Sequence, residues 1–239
     1  YDDKEIGFRK LIISFIIIFI PIAFIVKQPD LGTSLIILLC GLITLFLSGV
    51  KNSHIKYLVG LFLIVAPMIW KFFLLPYQKQ RIMTLIEPAS DPLGSGYHII
   101  QSKIAIGSGG LYGKGWLNGT QSHLEFLPER ATDFIFAVYC EEFGLIGVFM
   151  LMAAYVLVIS RGLHVAREAQ DTFGRLLSAS LIITFVINIL VNVMMVVGVI
   201  PVVGAPLPLM SYGGTSMVTM MGSLGVLMSI HTHRNFYSR

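Results

Sequence analysis

Charged side chains are scarce in this sequence. Asp, Glu, Lys and Arg make up 13% of its 239 residues, whereas apolar residues make up 55%. A soluble domain carries roughly 25% charged residues and about 45–50% apolar ones. The composition therefore excludes a disordered chain, a coiled coil and an ordinary soluble enzyme, and it predicts a polytopic membrane protein. The net charge of +4 is too small to indicate nucleic-acid binding.

Cysteine is equally scarce. Cys40 and Cys140 both lie in apolar runs, which is typical of small buried hydrophobic residues and excludes a disulfide scaffold. The six histidines show no zinc spacing, so the sequence predicts no metal site from them. The first ten residues, YDDKEIGFRK, are polar and do not form a signal peptide. We expect them to form a loop that enters a membrane helix.

Long apolar runs, by contrast, are abundant. A spanning helix needs about 20 mostly apolar residues. Six runs are candidates, of which the first is short: about 11–26, 35–50, 57–75, 134–160, 175–200 and 210–230. The sequence thus predicts an all-α membrane protein with three spans in residues 1–75, a large polar loop in 76–132, and three spans with a tail in 133–239.

Basic residues indicate how this bundle is oriented. If six spans alternate, ten Lys and Arg residues fall on one side, which the positive-inside rule assigns to the cytoplasm. The segment 76–132 is then extracytoplasmic. The ten residues are Lys4, Arg9, Lys10, Lys51, Lys56, Arg161, Arg167, Arg175, Arg234 and Arg239.

The segment 76–132 is too long and too varied in composition to be a plain connection. Its isoleucines at 99, 100, 104 and 106 predict a short amphipathic helix at the membrane surface. The glycine clusters at 107–110 and 113–115 predict turns. The stretch GSGGLYGKG fails the Walker template at two positions, which argues against nucleotide binding.

Asp133 is the first candidate for chemistry, because it directly precedes the apolar run Phe134–Ala137. A carboxylate at the mouth of a helical bundle is partly desolvated, which can raise its pKa. It is also a favoured helix N-cap, a role that Thr132 fits equally well. Capping is the more frequent of the two roles, and the two are not exclusive.

Other polar residues lie within or beside the spans. Glu141 and Glu142 are about two turns deeper than Asp133; pairing with a helix outside this chain is favoured over a transport pathway. Asn188 and Asn192 share a helix face and predict contacts that hold helices together. The prolines and glycines of 201–214 predict a structured break before the last span.

Basic residues in the outer segment could hold a phosphate or pyrophosphate. Lys103, Lys114 and Arg130 are the candidates. Ordinary solvated or headgroup-facing charge explains them about equally well.

Four stretches together resemble the SEDS family (shape, elongation, division and sporulation). They are KQPDLGTS at 27–34, GYHIIQSKIAIGSGGLYGKGW at 96–116, LEFLPERATDFIFA at 124–137 and PVVGAPLPLMSYGG at 201–214. The similarity runs from about residue 29 to residue 234. The resemblance implies a bundle of ten helices, of which the six here match the last six. Ala131 departs from the family pattern, which has histidine at that position.

The resemblance also implies an activity. Family members are peptidoglycan glycosyltransferases that polymerise lipid II, with inversion, on the outer face of the bacterial cytoplasmic membrane. It implies Asp133 as the catalytic residue, acting as general base, and Glu125 as a second acidic position. We expect substrate contacts from Lys103, Lys114, Arg130, Glu129, Gln121 and Ser102, and structural roles for Asp30, Pro201, Pro206, Pro208, Ser211, Tyr212, Gly213 and Gly214. A divalent cation, Mg²⁺ or Mn²⁺, could neutralise the pyrophosphate.

Partners follow from the same resemblance: a class B penicillin-binding protein, which is a transpeptidase, and an elongation complex with the MreB cytoskeleton. Two alternatives remain open, namely a lipid II flippase and a non-catalytic scaffold for the transpeptidase.

Overall fold

The computed structural model describes residues 8–28, 30–50, 60, 64, 67–92, 94–123 and 129–232. These residues form helices, turns and loops, and no strand occurs among them. They divide into two compact units, one up to Gln80 and one from Arg81 onward.

The first unit contains a helical hairpin. Helix α1 covers Phe8–Lys27 and helix α2 covers Leu31–Leu47. Asp30 caps α2, because its carboxylate accepts hydrogen bonds from the Thr33 backbone N–H at 3.0 Å and from the Thr33 hydroxyl at 2.6 Å. This cap starts α2 four residues before the start predicted from hydropathy.

Much of the predicted third span, 57–75, lies outside the described residues. The part that the structure describes contains a π-helical turn at Ile69–Phe73. Helix α3 follows at Pro76–Ile86, with proline at its first position, where no backbone N–H is needed.

The second unit is built around two long helices, α6 (Ile135–Glu168) and α7 (Thr172–Val197). Asp171 caps α7, and its carboxylate accepts from the Gly174 N–H at 2.7 Å. The remaining elements are a 3₁₀ turn at Pro88–Ser90, α4 (Ser95–Gly109), α5 (Thr120–His123) and α8 (Gly214–Thr232). Helices α4 and α8 both contact α6 and α7.

The all-α membrane fold is confirmed by three helices of the described residues that are long and apolar enough to cross a bilayer. They are Arg9–Lys27, Ile135–Glu168 and Thr172–Val197, while Leu31–Leu47 is a shorter apolar helix. The last predicted span is shorter than expected, since α8 begins at Gly214 and not at residue 210.

Helix α4 forms where the isoleucines predict a helix, and it is amphipathic, since one face packs inside the bundle while Ile100 and Ile104 are exposed. Ile99, Ser102 and Ala105 on one face are fully buried, and the Ser102 hydroxyl donates to the Val196 carbonyl of α7 at 2.8 Å. The prediction of a turn at 107–110 is wrong in its bounds, because α4 continues to Gly109.

Helix α6 is broken at Gly144, whose φ of 62° and ψ of −161° are not helical. The loop after α4 supplies the backbone partners that the break removes from α6. A side chain at Gly113 would collide with the Glu142 carbonyl, so the two backbones can approach only because Gly113 lacks one. Four backbone hydrogen bonds join this loop to α6: Lys114 N–H to Glu141 O (3.0 Å), Gly115 N–H to Glu142 O (2.9 Å), Leu145 N–H to Gly110 O (3.0 Å) and Ile146 N–H to Leu111 O (3.1 Å).

The predicted break before the last span is confirmed. Residues 201–213 have no helix, and Ala205, Leu207 and Ser211 within them are buried. Helix α7 ends at Val197, and the next residue, Gly198, adopts a left-handed backbone conformation that lets the chain change direction. Pro201, Pro206 and Pro208 lie in this segment, and Gly213 leads into Gly214, the first residue of α8.

Candidate active site

Asp133 does not cap α6. The N-cap residue is Phe134, which makes no side-chain capping bond, so the prediction of a cap by Asp133 or Thr132 is wrong. The Thr132 hydroxyl donates instead to the Glu129 carbonyl at 3.1 Å. The tight turn from Glu129 to Phe134 therefore leaves the Asp133 carboxyl available for other contacts.

The Asp133 carboxyl lies beside a second acid, Glu129. Burial raises the pKa of Asp133 from 3.8 to about 6, with smaller contributions from the negative charge of Glu129 and from a hydrogen bond to its side chain. Gly204 of the 201–213 segment borders the pair, since a side-chain carbon there would lie 3.4 Å from Asp133 Oδ2. A carboxyl with this pKa is mostly ionised at neutral pH and retains basicity.

Three contacts from distant parts of the chain hold the backbone around Asp133. The buried Asn192 side chain of α7 donates to the Asp133 carbonyl at 2.8 Å and to the Ala205 carbonyl at 2.6 Å. Ser211 donates to the Thr132 carbonyl at 2.7 Å. The Tyr212 N–H donates to the Ala131 carbonyl at 2.8 Å. The prediction that these asparagines hold elements together is confirmed for Asn192. It is wrong for Asn188, whose side chain donates to the Thr184 carbonyl of its own helix. The broken segment also fixes the Asp133 turn.

Sequence reasoning missed His98. Its ring stacks on Phe134 with centroids 5.5 Å apart and an interplanar angle of 22°. Burial lowers the pKa of His98, and the negative charges of Glu129 and Asp91 partly offset that effect. The only sequence signal was its place in the Gly96–Trp116 motif. His98 thus adds an imidazole beside Phe134, within electrostatic reach of Glu129.

The prediction that Glu141 pairs with a helix outside the chain is wrong. Its fully buried carboxylate accepts from Lys114 Nζ at 2.7 Å, from the Thr120 hydroxyl at 3.0 Å and from the Gln121 N–H at 3.1 Å. Lys114 also donates to the Thr120 hydroxyl at 2.8 Å. The Lys114 side chain and the Gln121 backbone N–H are therefore engaged in holding the loop onto α6.

The other predicted substrate contacts are distributed as follows. Lys103 is exposed beside Gly198 at the end of α7, where a helix C-terminus favours a cation. Arg130 is exposed next to Glu129 in the turn that carries Asp133. Ser102 is buried, and its hydroxyl contacts the Ile99 and Val196 carbonyls. Glu125 lies outside the described residues.

Within the part of the chain that the structure describes, no group of three or more His, Cys, Asp or Glu side chains is arranged to hold a metal ion. The pair Glu129 and Asp133 supplies two carboxylates. Mg²⁺ commonly binds one or two protein carboxylates together with substrate phosphates and water, so a substrate-borne cation fits this pair.

Comparison with known proteins places the chain in a family. The family model for FtsW, RodA and SpoVE, described as "Cell cycle protein", matches residues 2–236. The chain belongs to the FtsW/RodA/SpoVE family. The resemblance drawn from the four sequence motifs is thereby confirmed.

Several members of the FtsW/RodA/SpoVE family are similar over most of the chain. Peptidoglycan glycosyltransferase MrdB of Escherichia coli (strain K12) is 55% identical over 227 residues, covering 95% of this chain and 61% of the relative. Peptidoglycan glycosyltransferase RodA of Treponema pallidum is 41% identical over 191 residues, covering 79% and 44%. Stage V sporulation protein E of Bacillus subtilis is 36% identical over 222 residues, covering 92% and 59%.

Solved structures of family members share the fold. A chain of a peptidoglycan synthase complex, solved to study how polymerisation and crosslinking are coordinated, superposes with a TM-score of 0.77 at 30% identity, covering 96% of this chain and 63% of that one. The rod shape determining protein RodA of Thermus thermophilus gives a TM-score of 0.61 at 25% identity, covering 95% and 57%. The chain spans about three fifths of the length of MrdB, of the sporulation protein and of these two solved chains, and 44% of the length of RodA of Treponema pallidum.

Proposed function

We propose that this chain carries the catalytic centre of a peptidoglycan glycosyltransferase that polymerises lipid II. The observation that carries the proposal is the half-buried Asp133 carboxyl, which caps no helix and lies beside Glu129 with a pKa near 6. The names of the relatives supply the reaction class.

The proposed reaction is a single displacement. The 4-hydroxyl oxygen of one sugar bonds to C1 of the next sugar, while the bond from C1 to the pyrophosphate oxygen breaks and undecaprenyl pyrophosphate leaves with the electron pair. The Asp133 carboxylate accepts the hydroxyl proton. General-base catalysis of this kind contributes about 10²–10⁴-fold.

Glu129 supports the basicity of Asp133. A neighbouring negative charge disfavours a second ionised carboxylate, so it raises the proton affinity of Asp133. The turn held by Asn192 and Ser211 keeps the base in place, which matters because transfer needs the reacting atoms at near-contact distance.

Lys103 and Arg130 are the proposed contacts of the leaving pyrophosphate. Both are exposed, and Arg130 lies in the turn that carries the base. Lys114 fits this role less well, since Glu141 and Thr120 already bind its ammonium group. The carboxylates of Glu129 and Asp133 would hold Mg²⁺ or Mn²⁺, and the ion would supply further neutralisation of the pyrophosphate charge.

We further propose that the protein acts with a class B penicillin-binding protein as transpeptidase, within an elongation complex that includes MreB. The outer segment 76–132, which directly precedes Asp133, would face outward from the bacterial cytoplasmic membrane. One structural neighbour belongs to a peptidoglycan synthase complex, which supports the pairing of polymerisation with crosslinking.

The test is polymerisation of purified lipid II by the protein together with its transpeptidase. Asp133→Asn should abolish glycan strands while the complex still forms. Asp91→Asn is the matched control, because Asp91 is an acid of the same outer segment. Its carboxylate accepts a hydrogen bond from the nearby Ser95 hydroxyl at 3.3 Å. The Asp91→Asn protein should retain activity. Full activity of Asp133→Asn would overturn the general-base role.

Transport and scaffolding have distinct outcomes in the same set of variants. A flippase would be favoured by two results together: the Asp133→Asn protein still moves lipid II across vesicle membranes, and neither the parent nor any variant polymerises it. Intact cell elongation with Asp133→Asn and no polymerase activity in the parent would favour a scaffold. The ion pair that neutralises Glu141 removes one feature that had suggested a transport pathway.

A further inference from the structure

A short loop in the outer segment displays large apolar side chains at the surface. We call residues 111–117 the aromatic loop. Tyr112 is 81% exposed and Trp116 is 68% exposed, and Leu111 and Leu117 are also exposed. Scattered apolar residues at a surface are ordinary, but a cluster of large ones marks a contact surface.

The aromatic loop is firmly attached to α6 at its break. Its backbone is hydrogen-bonded on both sides of Gly144, and the Trp116 ring contacts the Phe143 ring at 5.7 Å between centroids. Lys114 of the same loop is ion-paired with the buried Glu141. The apolar side chains are therefore displayed from a fixed backbone.

The loop continues an apolar surface of a spanning helix. The Ile146 N–H donates to the Leu111 carbonyl, which brings the loop next to the first residues after the break. From there α6 exposes apolar side chains toward its other end, namely Leu145, Ile146, Phe149, Met150, Val156 and Leu157. Such a surface on a spanning helix faces lipid.

The position of the break along α6 gives the depth of the loop. Residues 145–160 contain no charged side chain, and Arg161 is the first one after the break. Twenty residues at 1.5 Å each cover the roughly 30 Å of a hydrocarbon core. The unbroken part of α6, from Leu145 to Arg161, covers about 24 Å of this distance, and Glu141, which binds Lys114, lies just beyond the break. The loop thus lies at the level where hydrocarbon meets headgroups.

We propose that Leu111, Tyr112, Trp116 and Leu117 form an anchor that inserts into the headgroup region of the outer phospholipid leaflet. Trp and Tyr are enriched at this level because their rings combine an apolar body with a polar group. Glycines at 113 and 115, both at positive φ, let the loop turn its aromatic side chains outward while its backbone stays bonded to α6.

The anchor sets the height of Asp133 above the bilayer. Glu141 lies six positions after Ile135, the first residue of α6, which corresponds to about 9 Å along the helix, and Asp133 lies just before that start. A lipid-linked pyrophosphate lies at headgroup level, so its sugars reach that height. This consequence rests on the proposed function, whereas the anchoring itself does not.

The depth of Trp116 can be measured by fluorescence. The sequence has two tryptophans, so Trp70→Phe leaves Trp116 as the single reporter in the purified protein reconstituted into phosphatidylcholine and phosphatidylglycerol vesicles. We expect blue-shifted emission, greater loss of fluorescence with lipids brominated near the headgroup than with lipids brominated near the chain end, and protection from aqueous iodide.

Two further variants keep the result interpretable. Trp116→Phe with Tyr112→Trp moves the reporter to the neighbouring anchor position and should give the same pattern. Trp116→Phe with Ala131→Trp is the matched control, because Ala131 is exposed beyond the start of α6; its emission should be quenched by iodide and not by lipid.

Every other pattern overturns the proposal. Iodide quenching of Trp116 without lipid quenching would place the loop in water. Protection from both quenchers would mean that another part of the protein, or a second copy of it, covers the loop. Quenching mainly by bromines near the chain end would place it within the hydrocarbon. Because none of these readouts depends on polymerisation, failure of the proposed function leaves them unchanged.

Discussion

Replacing Asp133 by asparagine should stabilise the protein at alkaline pH while removing its activity. The native pKa of Asp133 is about 6, compared with 3.8 for an unperturbed aspartate, so the fold favours the protonated form. The associated stability is fully present below about pH 4 and is lost as the pH rises through about 6. Asparagine does not ionise, and it avoids this loss.

The magnitude follows from the shift. About two pKa units correspond to at most about 3 kcal/mol, at 1.36 kcal/mol per unit. Asp133 is only half-buried, and solvent screening reduces the effect to about 1 kcal/mol. For a chain of this length, 1 kcal/mol shifts the melting temperature by about 2–4 °C.

The assay is thermal unfolding in detergent at pH 5 and pH 8, with Asp133→Asn compared with the parent. The variant should melt higher at pH 8, and the gap should shrink at pH 5. Asp171→Ala is the contrasting control, because Asp171 caps α7 and its loss should cost about 1 kcal/mol at both pH values. An Asp133→Asn protein that is less stable at pH 8, or equally shifted at both pH values, would refute the reasoning.

Three further predictions concern the same region. Glu129→Gln removes a negative charge beside Asp133, so it should lower the pKa of Asp133 and move the acidic limb of the polymerisation pH profile to lower pH. The shift should be about one unit or less, because burial, the main cause of the raised pKa, remains. An unchanged limb would contradict an interaction between Glu129 and Asp133. Asn192→Ala should cost about 1–3 kcal/mol of unfolding free energy in a denaturant titration and slow polymerisation, because the Asp133 carbonyl loses its buried donor. Glu141→Gln should cost about 1–3 kcal/mol of unfolding free energy, because the partly exposed Lys114 ammonium loses its charged acceptor. The double variant with Lys114→Gln should lose less than the sum of the single changes; additive losses would show that the two residues do not interact.

Matched controls are available in the chain. Asn188 lies on the same helix as Asn192, but its side chain donates only to the Thr184 carbonyl of its own helix, at 2.8 Å. Asn188→Ala should therefore cost clearly less than Asn192→Ala. Gly222→Ala places a methyl group where no atom lies within 4 Å and should be neutral, whereas Gly144→Ala should impair folding because the added carbon collides with the Gly113 backbone N atom.

Several features were predictable because they depend on neighbouring residues alone. The apolar runs predicted α1, α6 and α7, since the free energy of placing a helix in lipid is summed over about 20 consecutive side chains. The prolines and glycines of 201–214 predicted a break, because they cannot continue a regular helix. The family, too, was evident from short motifs.

Errors arose where a residue had two local possibilities and a distant contact chose between them. Asp133 stands where an N-cap would stand, and nothing in the adjacent sequence shows that Phe134 takes that position. The isoleucines of α4 predicted a helix, but only the contacts with α6 and α7 show which of its faces is buried.

The sequence by itself determined the membrane class, the main spans and the motif that contains Asp133. The tertiary structure alone decided what surrounds that residue. Lys114 neutralises Glu141 from 27 positions away, and Asn192 binds the Asp133 carbonyl from 59 positions away. Burying a charge or a carbonyl is costly unless a partner is present. The fold supplies those partners from residues that no local pattern connects, and it leaves the Asp133 carboxyl beside Glu129.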